Sequence, residues 1–437
     1  MKKILVYIGT FLAALAVLWA ALFAASCIPN ELIYDNMYSS SIYYSDKEAF
    51  VYNGAVRRTT DNYADSILLN VAWNMNSDDP FVSCLDTRYF DGLENGVDYG
   101  ENWGLFCAIT GRDAPNTDYT RYWHGMAIFV RLFMLFTDVN GIKMIGMIAA
   151  YALLGLNCAI LLKKRQFFAS AALALSFICV HLWDIRLSME YQPAVLVTLA
   201  VLPFFIILEQ RGDNALSVLA VISGVLIAFF DFLTAETLTI LIPLAVVFII
   251  RKQEKRFGSF RQGFITTAKC GVAWLMSYAG TFLAKWGLSS AVTGENKFIS
   301  ALSSAEIRMI GETDGLSPLQ QIFCAPLSNI STLFGGESRL DPLCILVGLF
   351  LSAAVLGAVF YLFHDKSRFD GGFSLVMLII ALLPFIRYLV LNNHSYLHTF
   401  FTYRALAATI LAVLAIVWFT LNFHPQKKKS AKKGRGK

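Results

Sequence analysis

The stretch Thr60-Asp61-Asn62-Tyr63-Ala64-Asp65 sets two carboxylates four residues apart, just ahead of the apolar residues Ile67, Leu68, Leu69, Val71 and Ala72. Thr60 or Asp61 suits a helix N-cap, and on a helix Asp61 and Asp65 share a face. Neighbouring carboxylates repel unless a proton, a cation or an acceptor hydroxyl comes between them. A capped, solvated amphipathic helix uses the same residues. Asp78-Asp79-Pro80 is a second acidic pair, in a turn where the proline ends that helix. Further on, Asp118-Tyr119-Thr120-Arg121-Tyr122-Trp123-His124-Gly125 precedes an apolar stretch containing Arg131. An aromatic belt accounts for Tyr122 and Trp123 but not for Arg121, His124 and Arg131 together.

Short connectors carry charge they do not need. Trp183-Asp184-Ile185-Arg186, Met189-Glu190-Tyr191-Gln192-Pro193, the Asp231 and Glu236 turn, Arg387, Asn392-Asn393-His394-Ser395-Tyr396-Leu397-His398 and Arg404 all fall at ends of apolar segments. Ionisable groups at a membrane boundary are costly and by default mark function; each alone is also explained by a structural ion pair. His394 and His398 have the i, i+4 spacing of zinc ligands, but a third ligand is not evident. Hydrogen bonding to phosphate beside Arg387 and Arg404 is the more natural role.

The elements that must position these residues are membrane spans. The 437-residue chain is 57% hydrophobic and only 15% charged, with mean hydropathy +0.56, against about 25% charged residues in soluble domains. Ten apolar segments, 4–26, 141–162, 167–183, 194–208, 215–232, 237–250, 264–284, 343–363, 373–391 and 405–423, thread so that the Lys/Arg clusters fall on one side. Both termini then lie in the cytoplasm. The stretch 126–136 breaks this pattern if it spans, and reads as an interfacial or re-entrant helix. The expected fold is an all-α polytopic membrane protein. It is divided into an anchor (1–26), an extracytoplasmic loop with surface helices (27–140), helices two to seven (141–286), a second outer loop (287–341), helices eight to ten (342–423) and a basic tail (424–437). The first loop is acidic, with fifteen Asp/Glu against six Lys/Arg between Cys27 and Tyr122.

The N-terminal segment reads as an uncleaved anchor rather than a signal peptide, despite Ala24-Ala25-Ser26-Cys27. Cys84 and Cys107 share a loop, and either pair or stay reduced. The net charge of +5 reflects cytoplasmic anchoring, and the basic tail suits lipid headgroups rather than nucleic acid. No phosphate-binding glycine loop, paired CxxC, HExxH or Gly-x-Ser-x-Gly is present.

The chain from 1 to about 423 resembles the GT-C superfamily, polytopic glycosyltransferases that use polyprenyl-phosphate sugars outside the cytoplasmic membrane. Asp61-Asn62-Tyr63-Ala64 is similar to that family's acidic residue at the start of a surface helix, with Asp78-Asp79 the competing match. Arg121-Tyr122-Trp123-His124-Gly125 stands where the family re-enters the membrane, without its usual prolines. Glu190-Tyr191-Gln192-Pro193 stands where many members carry an acid before the fourth span, and Asn393-His394-Ser395 with 398–404 resembles polar groups near a lipid phosphate. The lack of a soluble C-terminal domain sets it apart from oligosaccharyltransferase-like members.

The resemblance implies sugar transfer from a polyprenyl-phosphate-linked donor to a cell-envelope glycan or glycolipid acceptor, in a bacterial cytoplasmic membrane. It implies Asp61 as base, Asp65 as its neighbour and Asp78 or Asp79 in reserve. Arg387, His394, His398, Arg404 and Arg308 would face the lipid phosphate, and Arg121, His124, Glu190 and Asp231 the substrate. No cofactor is certain, and a divalent cation stays open. Rival readings are a flippase for lipid-linked saccharide, for which Lys143, Lys269 and Asn157 mark too sparse a path, and a non-catalytic subunit of a polysaccharide-assembly machine.

Overall fold

Apolar runs shielded from water satisfy their backbone groups internally only as helices or closed barrels, and helices dominate the computed structural model of this chain. It describes residues 2–75, 78–93, 99–311, 313, 315–365 and 368–422. The basic tail and Lys366 lie outside the described residues. After α1 (Lys2–Ser26) and α2 (Asn30–Ser45), the antiparallel pair β1 (Phe50–Val51) and β2 (Thr60–Asp61) leads into α3 (Asn62–Asn74). Then follow α4 (Pro80–Leu85), β3 (Arg88–Tyr89), α5 (Glu101–Ile109), β4 (Thr117–Asp118), which pairs with β3, and α6 (Met126–Phe133). The bundle continues with α7 (Val139–Lys163), α8 (Phe167–Cys179), α9 (Pro193–Leu208), α10 (Asp213–Phe230), α11 (Leu238–Gln253) and α12 (Phe260–Thr293). It ends with α13 (Lys297–Ile310), α14 (Pro318–Phe334), α15 (Pro342–Phe363), α16 (Gly371–Val390), α17 (Asn392–Leu397), α18 (Thr399–Thr402) and α19 (Leu406–Thr420).

Seven helical segments among the described residues are long and apolar enough to cross a membrane: Lys3–Ser26, Val139–Lys163, Met189–Arg211, Asp213–Phe230, Pro342–Phe363, Gly371–Val390 and Thr399–Thr420. This is an all-α, multi-pass membrane protein. Three of the ten predicted spans do not meet that standard. α8 has 13 residues before the chain turns into short 3-10 helices. α11 has 16, and every residue from 238 to 250 is buried, the mark of a helix enclosed by its neighbours. α12, with 34 residues, is long enough but carries Arg261, Lys269 and Lys285 and is too polar.

Two large apolar cores result among the described residues, beside a small cluster of Phe90, Cys107 and Ala108. One fills the bundle of α7 to α11, α16 and α19. The other joins α1 to α6 with the end of α10. Between α1 and the surface helices sits Arg131, fully buried on α6. Its guanidinium donates to Ala25 O at 2.9 Å, Asn30 Oδ1 at 3.0 Å, Ala72 O at 2.6 Å and Ile28 O. α6 itself has eight residues, far short of the roughly 20 needed to span. Trp123, also buried, stacks on Phe229 at 5.2 Å and donates to Thr281 O at 2.7 Å, tying the surface layer to α12.

The spacing predicts that Pro80 ends α3, but that helix already stops at Asn74, and Pro80 instead opens α4 with Asp79 as its cap, the first-turn position where a missing N–H costs nothing. Cys84 and Cys107 are not joined in a disulfide; the Cys84 thiol meets Ser26 Oγ at 3.2 Å.

Basic residues gather at one end of the bundle. Arg251 pairs with Asp213 at 3.2 Å and Arg256 with Glu209 at 2.7 Å, Lys252 pairs with Asp370, and Lys164 Nζ donates to Ile206 O at 3.0 Å. The surface helices α2 to α6 and the 3-10 turns ahead of α9 lie at the other end.

Candidate functional site

A cavity of about 940 Å³ opens at the end away from the basic clusters. Its position follows from how α3 begins. Asn62 Nδ2 donates to Glu48 O at 2.8 Å and Asn62 N to Ala49 O at 2.9 Å, so the hairpin fixes the entry to the helix. Asp61 then caps α3, its Oδ1 accepting from Ala64 N at 2.8 Å. Asp61 lines the cavity while being only 2% exposed. Burial lifts its carboxyl to about 7; the nearby Asp65 charge adds to this, and the Ala64 hydrogen bond and Lys143 work against it.

Asp65, one turn on, does not reach the cavity. It is saturated: Ser188 Oγ donates at 2.9 Å, Met189 N at 2.7 Å and Tyr44 OH at 2.9 Å, and Lys143 forms a buried ion pair with it. This carboxylate binds α3, α2 and α7 to the 188–191 turn and so brings Glu190 to the cavity wall, where Ser188 Oγ accepts from Glu190 N at 3.1 Å.

Facing these acids are cations. Arg121 lies with its Cζ 4.2 Å over the Tyr119 ring, and Arg308, on α13, donates through Nη1 to Ser304 O at 2.9 Å. The Nε atoms of both are buried without a hydrogen-bond partner among the described residues. Arg339 and Lys47 complete the basic lining. His394 and His398, on and just after α17, close the cavity with ring centroids 4.8 Å apart. Burial holds His398 down at about 3 and His394 well below the usual range, so both are neutral hydrogen-bonding groups. His124, with φ 55, contacts Tyr119 O through Nε2 at 2.9 Å, and burial lowers it to about 3. The Nδ1 atoms of His124 and His398 also lack partners among the described residues. Buried polar atoms are nearly always satisfied, so unmet donors and acceptors around one cavity point to a polar occupant.

Seven of the predicted residues therefore meet here: Asp61, Arg121, His124, Glu190, Arg308, His394 and His398. The others stand elsewhere. Asp78 and Asp79 are exposed, with Asp79 Oδ1 accepting from Val82 N at 3.1 Å. Asp231 turns back on Thr234, accepting from its N at 2.8 Å and its Oγ1 at 2.5 Å. Arg387 is engaged by Glu236 at 3.1 Å, by Ser395 Oγ at 2.8 Å and by Leu233 O, with His394 Nδ1 at 3.5 Å, and so holds α17 in place. Arg404 lies 4.8 Å over the Tyr191 ring, off the cavity.

Sequence reasoning missed Lys47, Tyr99 and Arg339 as lining residues, and singled out Tyr63 only within the Asp61-Asn62-Tyr63-Ala64 stretch. Arg339 had a signal, being one of three basic residues in 287–341 with Lys297 and Arg308; Lys47 and Tyr99 had none. Among the described residues, no three His, Cys, Asp or Glu side chains group as a metal site, and none joins His394 and His398 as a third ligand. No protein family, no curated protein and no solved structure matches the chain.

Proposed function

We propose that this protein is an integral-membrane glycosyltransferase of GT-C type that moves a sugar from a polyprenyl-phosphate donor to an extracytoplasmic cell-envelope acceptor. The observation that carries this reading is the meeting of two acids, Asp61 and Glu190, with Arg121 and Arg308 in one cavity at the end of the bundle away from the basic clusters.

The chemistry needs a base for the acceptor and a cationic bed for the leaving group. Asp61 takes the proton of an acceptor hydroxyl within about 3 Å. The hydroxyl oxygen forms a bond to the anomeric carbon as the bond from that carbon to the lipid phosphate breaks. The phosphate leaves with the electron pair, and Arg121 and Arg308 oppose its growing charge where water is scarce. Neutral His394 and His398 offer hydrogen bonds to phosphate or sugar oxygens, and Glu190 holds a hydroxyl. A base titrating near 7 is matched to proton transfer at physiological pH.

The test is transfer of radiolabelled sugar from a panel of polyprenyl-phosphate sugars in membranes holding wild type, Asp61→Asn or Asp78→Asn at equal expression. Loss in Asp61→Asn with wild-type transfer in Asp78→Asn is expected. Full transfer in Asp61→Asn would sink the mechanism.

A further inference from the structure

A second group of unmet polar atoms lies outside the cavity. Arg404 is 2% exposed; its Nη1 donates to Phe400 O at 3.1 Å, but Nε and Nη2 have no partner among the described residues. The same holds for Arg57 Nε, His181 Nδ1 and Asp184 Oδ2. Three segments bring these groups together. Arg57 sits on a 3-10 turn whose Val56 N donates to Gly336 O at 3.0 Å, and a Cβ at Gly335 would come within 2.1 Å of Arg57 Nη1. His181 and Asp184 belong to the turn between α8 and α9, with the His181 ring 6.3 Å from that of Tyr403. Tyr403, whose OH donates to Val180 O at 3.0 Å, also lies 5.0 Å beneath the Arg404 guanidinium. Tyr191 touches both sites: its ring contacts Arg404 on one hand and the cavity residues Phe400 and Phe401, at 6.0 and 5.8 Å, on the other.

Opposite charges here feel each other without contact. Burial raises the Asp184 carboxyl, with Arg404 and Arg57 the strongest influences working against it, yet Asp184 makes no ion pair within 4 Å among the described residues. Two guanidiniums with free N–H groups and a carboxylate held apart from them are satisfied by an occupant with anionic oxygens for the first and an O–H for the second. Asp184 is 7% exposed, whereas Arg57 and His181 are half-buried, so the group is reached from their side.

We propose that Arg57, Arg404, His181 and Asp184 form a second anion site, separate from the cavity, that binds a phosphate group carrying a hydroxyl. The guanidiniums bind the charged oxygens, His181 Nδ1 adds one hydrogen bond, and Asp184 accepts the O–H. The site reads protonation: hydrogen phosphate has the proton Asp184 needs and sulfate does not. It stands whether or not the cavity transfers sugar.

The test is equilibrium binding of radiolabelled inorganic phosphate to the full chain in detergent, with sulfate as competitor. Arg308→Gln, which alters the cavity alone, should retain binding that phosphate wins over sulfate. Adding Arg57→Gln should weaken that binding at least about tenfold, the loss of one charge-assisted hydrogen bond. Asp184→Asn, nearly isosteric, should abolish the preference for phosphate. Loss of all phosphate binding in Arg308→Gln, or sulfate competing equally in wild type, overturns the proposal. Bilayer discs then separate the sources. Phosphatidylglycerol, but not phosphatidylcholine, blocks phosphate binding if the occupant is a headgroup; neither blocks it if the occupant is free phosphate.

Discussion

Asp61 and Asp65 show how two carboxylates one turn apart acquire opposite duties. Asp61 has one backbone donor and a cavity, and burial lifts it to about 7. As a base it must be ionised, so transfer should fall about tenfold per pH unit below 7 and level off above it. A kcat/KM profile flat from pH 5 to 8 would remove Asp61 from that role. The same shift has a stability consequence. Its folded value lies above the ordinary 3.8, so folding favours the protonated form, and stability is lost as pH rises from about 4 to about 7. Asp61→Asn removes this penalty and keeps a capping side chain. At pH 8 it should melt no lower than wild type while losing about 10²–10⁴-fold in turnover. Asp65 is the reverse case. Asp65→Ala leaves Lys143, 8% exposed, buried without its counter-ion, a loss of about 3–5 kcal/mol. Thermal melting in detergent should drop sharply, and wild-type melting would show that the pair carries no load.

At the scale of elements, Arg131 turns a short helix into a joint. Ala25 lies in the last turn of α1, Ile28 just beyond it, Asn30 opens α2 and Ala72 sits in the last turn of α3, and all four meet one guanidinium. Arg131→Met keeps the bulk but leaves these acceptors buried and short of a donor, at about 1–3 kcal/mol for each one left unmet. Melting should fall, and proteolysis should begin in 27–140 before the bundle opens; unchanged protection there would refute the joint. Elements of this kind explain what was legible. Runs such as 342–363 and 139–163 declare themselves because an apolar helix needs no partner to be read. The α3 cap was readable too, from Asp61 ahead of an apolar run. The i, i+4 rule misled for Asp65, because Asp61 lies outside the helix it caps and its side chain turns back to Ala64, whereas Asp65 points to Ser188. Arg387 and Arg404 look alike in sequence, each near a helix end. Only packing shows that Glu236 engages the first and that no carboxylate among the described residues pairs with the second.

For the molecule as a whole, the decisive property is that its two ends use charge differently. Arg251, Lys252 and Arg256 are bound up in ion pairs with Asp213, Asp370 and Glu209 at one end, while at the other Asp61 and Glu190 share an open cavity with Arg121, Arg308, Arg339 and Lys47. By the positive-inside rule the first end is expected in the cytoplasm, and the proposed transfer needs the cavity to open on the opposite side. Two exposed positions report on this: Asp46, at the end of α2, and Arg261, in the first turn of α12. Cys27, the exposed native thiol, is first replaced by serine. An impermeant maleimide should then label Asp46→Cys in intact cells and Arg261→Cys only after permeabilisation. The reverse pattern would leave the fold standing but turn the cavity to the cytoplasm, and an extracytoplasmic acceptor would be excluded. Labelling of both from outside would mean that the difference between the ends does not follow the membrane, and the sidedness on which the transferase reading rests would fail with it.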